Sequence, residues 1–151
     1  MKLDALYPYW ETAHDDLVET VGLLREWQLD TEPGPGGRSL RQIILDFVRA
    51  ERFWIGHLVA GHLDYRPRPE DYPDGRALAE ALTAARAVTA RVLDPLGPDG
   101  LRAVRTVPAD PAANRHESNV PIAWMFWHVL ELELTCRGQV RQRIEDEKAR
   151  G

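Results

Sequence analysis

Asp46, His128 and Cys136 are the side chains whose types suit proton transfer or nucleophilic attack. Asp46 stands between Ile43, Phe47 and Ala50, near the apolar face of the helix that the sequence predicts there. At such a boundary a carboxylate pairs with an arginine such as Arg49 or Arg41. Drawn further into the apolar face, it has a raised pKa and can act as a general base or an amine anchor. His128 lies beside Trp124, Trp127 and Glu131. Cys136, the only cysteine, is a small hydrophobe when buried, and a nucleophile only with a base beside it. No base is adjacent to it in the sequence. Trp10, Trp54, Trp124 and Trp127 are expected as core and pocket wall, and five tryptophans suit a flat organic ligand. His14, His57, His62 and His116 have no spacing that argues for a site. No phosphate loop, dinucleotide fingerprint, zinc-protease motif, cysteine pair or nucleophile elbow is present.

Four segments with helical periodicity must position these groups. The first is predicted from about Pro8 to Gln28, with Leu17, Val18, Val21, Leu24 and Trp27 at spacings of three and four. EPGPGG at 32–37 ends it. Ser39 and Gln42 form a capping box for a second helix from Leu40 to about Ala60, which aligns Ile43, Phe47, Ala50, Trp54 and Leu58. HLDYRPRPEDYPDG is a loop, and a third helix comes next, from about Arg76 to Leu93, with a small-residue stripe through Ala77, Ala81 and Ala85. From Asp94 to Asn119 the proline spacing predicts an irregular connection, long enough to suggest function or mobility. The fourth helix is predicted from Val120–Pro121 to Lys148, with Gly138 weakening it by about 1 kcal/mol. Its tail, VRQRIEDEKAR, reads as a solvated face of mixed charge. No strand pattern competes. The expectation is an all-α, four-helix bundle in one domain, residues 1–151.

Composition narrows the function classes. A formal charge of −5 without a basic stripe argues against nucleic acid as partner. No apolar run approaches a membrane span. MKLDALYPYW places Asp4 and a proline where a signal peptide needs an apolar run, and one cysteine forms no internal disulfide, so a cytoplasmic location is expected.

RSLRQIILDFVRAERFWI in the second helix and IAWMFWHVLELELTCRGQV in the fourth resemble the DinB-like (DinB/YfiT-like) four-helix-bundle proteins. Ala50-Glu51-Arg52, Trp54, Arg137-Gly138-Gln139 and the Tyr9-Trp10 pair carry the likeness, which spans the whole chain. The resemblance implies a divalent metal held by one histidine of the second helix and two of the fourth, one turn apart. Those three positions fall on Asp46, Leu132 and Cys136. Leucine cannot ligate, and a carboxylate with a thiolate leaves zinc two ligands short of its usual four. His128, one turn before Leu132, is about 12 Å along the axis from Cys136, too far to share one small ion.

The expected function is therefore a metal-independent, DinB-like protein with no cofactor, binding a small organic molecule in the bundle interior. Asp46 and His128 are its acid–base groups, and Trp10, Trp54, Trp124, Leu132 and Cys136 line its pocket. A non-catalytic binding or dimeric structural protein is the alternative. Metal-assisted transfer to a low-molecular-weight thiol is a second one, implied by the resemblance. The resemblance also implies a homodimer, for which the small-residue third helix offers a flat face.

Overall fold

A computed structural model describes residues 1–151, and it is mostly helical. A short α1 (Leu3–Leu6) precedes the first predicted helix, which is itself two pieces, α2 (Trp10–Gly22) and α3 (Glu26–Asp30). The break after Gly22 has a steric partner in Gly75, the first residue of α5 (Gly75–Leu93). A Cβ on Gly75 would lie 2.5 Å from the Val21 carbonyl oxygen and 2.8 Å from that of Leu24. Only glycine lets these two chain segments approach so closely. Gln28 then restarts the helix by accepting from the Arg25 backbone N–H at 2.8 Å.

The Ser39–Gln42 box opens α4 (Leu40–Glu51) as expected: the Gln42 N–H donates to Ser39 Oγ, and the Ser39 N–H to Gln42 Oε1. The helix does not stay regular to Ala60. It widens to a π-helix over Arg52–His57, where the Leu58 N–H reaches back to the Phe53 carbonyl. One inserted residue rotates the rest of the helix by about 100° relative to a continuous α-helix. α5 is capped by Asp74, which accepts from the Ala77 N–H at 2.8 Å. Its stripe of Leu78, Ala81, Leu82 and Ala85 is buried, because α5 packs against α2 and α4. The small-residue face is thus internal and offers no flat surface to a second copy.

The connection after α5 is more ordered than expected. It holds α6 (Pro98–Arg102) and two antiparallel strands, β1 (Val104–Val107) and β2 (Ser118–Pro121), with Val104 opposite Pro121 and Val107 opposite Ser118. Each strand is four residues long and only Val107 is buried. That is too short for alternation to show in a sequence. The last helix, α7 (Ile122–Arg150), runs straight through Gly138, whose surroundings are open. It packs against α4 and α2. One hydrophobic cluster draws in residues from Leu3 to Val140.

Each of the four longer helices sets a polar group into its buried stripe. On α2 the stripe is Trp10, His14, Leu17 and Val21; on α7 it runs Met125, Val129, Glu133, Cys136 and Val140. Glu51 ends the stripe of α4, and Arg86 and Thr89 interrupt that of α5. Arg86 Nε donates to Glu51 Oε1 at 2.7 Å, as does the Thr89 hydroxyl. Arg86 Nη2 stands 2.9 Å from Glu133 Oε1, at ion-pair distance but without hydrogen-bond geometry. The Trp10 indole N–H donates to the same oxygen at 2.9 Å, and Arg86 sits 4.9 Å above the Trp10 ring. Burial disfavours the charge on Arg86, but the two carboxylates outweigh it and raise its pKa above the ordinary value. Burial also pushes the Glu133 carboxyl up, while the His14 hydrogen bond and the Arg86 charge together bring it below the ordinary value.

Candidate functional site

The π-helical turn presents Phe53 and Trp54 side by side along one wall of an open groove. The opposite wall is the segment between the two strands. Pro111–Ala113 makes a single 3-10 turn, and Asn114 comes next, in the left-handed region at φ 51°. Asparagine tolerates that conformation better than most residues. The turn closes on paired backbone hydrogen bonds between Asp110 and Arg115, of 2.8 and 2.9 Å. Arg115 is held further by donation from Nε to the Pro108 carbonyl at 3.2 Å. Its guanidinium consequently lies over two rings, 4.9 Å from Phe53 and 5.7 Å from Trp54. Asp110 is 3.9 Å away, a loose ion pair.

Two hollows lie between these walls, and a third adjoins them along α4. The middle one, about 240 Å³, is lined by Asp46, Ala50, Phe53, Trp54, Tyr65 and Arg115, among others. It shares Trp54, Ala113 and Arg115 with a hollow of about 550 Å³ that reaches Trp124, His116 and His128. It shares Asp46 and Arg49 with a third of about 460 Å³, bounded by Arg38, Arg41, Arg66, Pro67 and Pro69.

His128 is fixed by its neighbours. Its ring stacks on Trp124 at 4.7 Å and 16° and meets Trp54 edge-on at 5.0 Å. Nδ1 lies 3.1 Å from Glu131 Oε1, which leaves Nε2 as the ring nitrogen without a protein partner. Trp124 also packs edge-on against Trp54 at 5.4 Å. These three rings form a single aromatic cluster at one end of the groove.

Asp46 does pair with an arginine, but not with either one expected, and it is not drawn into the apolar face. Its carboxylate is exposed, 57% accessible, and pairs with Arg38 rather than Arg49 or Arg41. Arg41 is occupied by Asp30 and by the Tyr72 and Pro73 carbonyls. Asp46 and His128 border different hollows and do not face each other as a pair. Trp10, expected on the pocket wall, is 1% exposed and belongs to the buried charge network. Leu132 and Cys136 do not line the groove either. Cys136 is 3% exposed, and burial together with the nearby Glu133 charge pushes its thiol up to about 12. Trp127 is largely exposed, a surface neighbour of Trp124.

The donor set does not fit a divalent ion at the positions the resemblance singles out. Asp46 faces solvent against an arginine, Leu132 has no donor atom, and the Cys136 thiol is held protonated. No three His, Cys, Asp or Glu side chains converge elsewhere in a way that could hold a metal ion.

Sequence reasoning missed Arg115, Phe53, Tyr65, Arg49 and Arg66 as groove residues, and His14, Glu51, Arg86 and Glu133 as an internal network. The network left a readable trace: charged residues at core-phase positions of three helices, with opposite signs. The groove left none, because its walls meet only through the π-turn and the connection between the strands.

No protein-family model and no curated protein matches the sequence. Among solved structures, that of a DinB-like protein from Bacillus cereus ATCC 10987 superposes with a TM-score of 0.73. The match covers 97% of this chain and 93% of that one at 13% identity. The fold is DinB-like. No helix of the chain is long and apolar enough to cross a membrane.

Proposed function

We propose that the protein is a DinB-like four-helix bundle that binds a small organic molecule without a metal ion. The binding place is the groove beside the bundle rather than its interior. The observation that carries this reading is Arg115, held by its own turn above Phe53 and Trp54, so that an aromatic wall and a fixed cation face one open space. Preformed hollows with aromatic walls and a few placed polar groups are a common form of ligand site. The Glu51–Arg86–Glu133 network occupies the interior between the helices.

Within this reading Asp46 and His128 remain the proton-transfer groups, now acting on opposite ends of a ligand. Their separation favours a second reading, a binding protein without catalysis. A homodimer is proposed on the resemblance alone. Light scattering is then expected to give twice 17.2 kDa, and a monomer at high concentration would count against it. A cytoplasmic location is likewise proposed, on the unpaired cysteine.

The test is a titration with small aromatic compounds followed by protein NMR. The reading expects shifts at the indole N–H of Trp54 and Trp124 and at the His128 ring. Binding that moves Trp10 instead, or no binding at all, overturns it.

A further inference from the structure

The groove has two chemically different halves. At one end Trp54, Trp124 and His128 form the aromatic cluster. At the other, the hollow of about 460 Å³ is lined by Arg38, Arg41, Arg49 and Arg66 against the single carboxylate of Asp46. The chain as a whole carries −5, so this concentration of guanidinium groups runs against its average charge.

Two of the four arginines are already used. Arg38 holds Asp46, and Arg41 holds Asp30 and two carbonyls. Arg49 and Arg66 are not: both are exposed and neither joins an ion pair. The guanidinium of Arg66 lies 5.3 Å over the Tyr65 ring, and Tyr65 belongs to the middle hollow. Arg49 borders both the middle and the arginine-lined hollow. The free cations therefore stand where the aromatic and basic halves join.

We propose that the ligand is a flat aromatic molecule carrying an anionic phosphate or carboxylate group. Its ring lies on the Phe53–Trp54–Trp124 side, and its anionic oxygens are taken by Arg49 and Arg66. The proposal rests on the reading of the groove as a ligand site and adds the ligand's charge. Guanidinium suits the task because its planar fork meets phosphate or carboxylate oxygens two at a time.

Three probes with one ring system decide it: 1-naphthol, 1-naphthoate and 1-naphthyl phosphate, titrated calorimetrically. Both anions are expected to bind at least tenfold more tightly than the naphthol, and that advantage is expected to shrink in high salt. The ratio between phosphate and carboxylate tells which head the site prefers. In R49Q/R66Q the advantage of the anions is expected to fall to threefold or less; both positions are exposed, and a thermal melt checks that the variant folds. Equal binding of all three probes overturns the anionic assignment and leaves the aromatic groove standing. No binding of any probe overturns both. Unchanged anion preference in R49Q/R66Q overturns the assignment of these two arginines.

Discussion

His14 Nδ1 lies 2.7 Å from Glu133 Oε2, joining α2 to α7 with both side chains buried. Glu133, held ionised, can only accept, so Nδ1 carries the proton of this bond. Through Arg86 the same carboxylate is tied to α5 and, by way of Glu51, to α4. Four helices thus share one polar junction.

Breaking the junction at Arg86 strands two buried carboxylates. R86M keeps most of the volume and is expected to destabilise by about 3–5 kcal/mol. For a chain of this size that is a fall in Tm of roughly 10 °C. The triple variant E51M/R86M/E133M, which removes all three charges, is expected to recover part of the loss. A thermal melt of R86M within 2 °C of the unaltered protein would refute the structural role.

Glu133 is the buried contributor to the acid dependence of stability, beside the more exposed Asp16 and Asp30, whose pKa values are also lowered by their arginine partners. Its folded pKa lies below the ordinary value of 4.5, so the unfolded chain takes up the proton first as the solution is acidified. Its contribution to stability is complete above 4.5 and is lost as the pH falls from there through the lower folded value. E133Q is expected to be less stable at neutral pH and to show a flatter decline below 4.5. Urea unfolding at a series of pH values measures both; parallel curves for the two proteins would contradict this.

Both partners of the Asp46–Arg38 pair are exposed, so the pair contributes little, from zero to about 1 kcal/mol. D46N is expected to leave the Tm nearly unchanged. It is also expected to tighten 1-naphthyl phosphate severalfold, because Arg38 is released. If Asp46 transfers protons, turnover of a substrate falls at least tenfold in the same variant, a loss of about 1.4 kcal/mol in the transition state. A lower Tm in D46N would restore the structural reading of the residue.

Cys136 is expected to be inert. With its thiol pushed up to about 12 and its side chain buried, iodoacetamide at pH 8 is expected to leave it unmodified over an hour and to label it fully in denaturant. Rapid labelling of the folded protein, seen by mass spectrometry, would make Cys136 a candidate nucleophile again.

Helix type, order and capping were written locally. The Ser39–Gln42 box, the EPGPGG break and the apolar spacing of α5 and α7 depend on neighbours within a turn or two, so they could be read from the chain. The likeness in two helices also pointed to the DinB-like fold. What tertiary structure decided was which way each ambiguous residue faces. Leu132, Glu133 and Leu134 are successive; the helix buries the glutamate completely and leaves Leu134 47% exposed, because Arg86 and His14 arrive from other helices to compensate the charge. Asp46, next to the apolar positions of α4, turns to solvent because Arg38 meets it there. The groove exists only once the π-turn has rotated Phe53 and Trp54 and the Asp110–Arg115 turn has closed over them. Each turn closes on its own local hydrogen bonds, but their meeting, Arg115 over Phe53 and Trp54, joins segments about sixty residues apart and is not written in residue spacing.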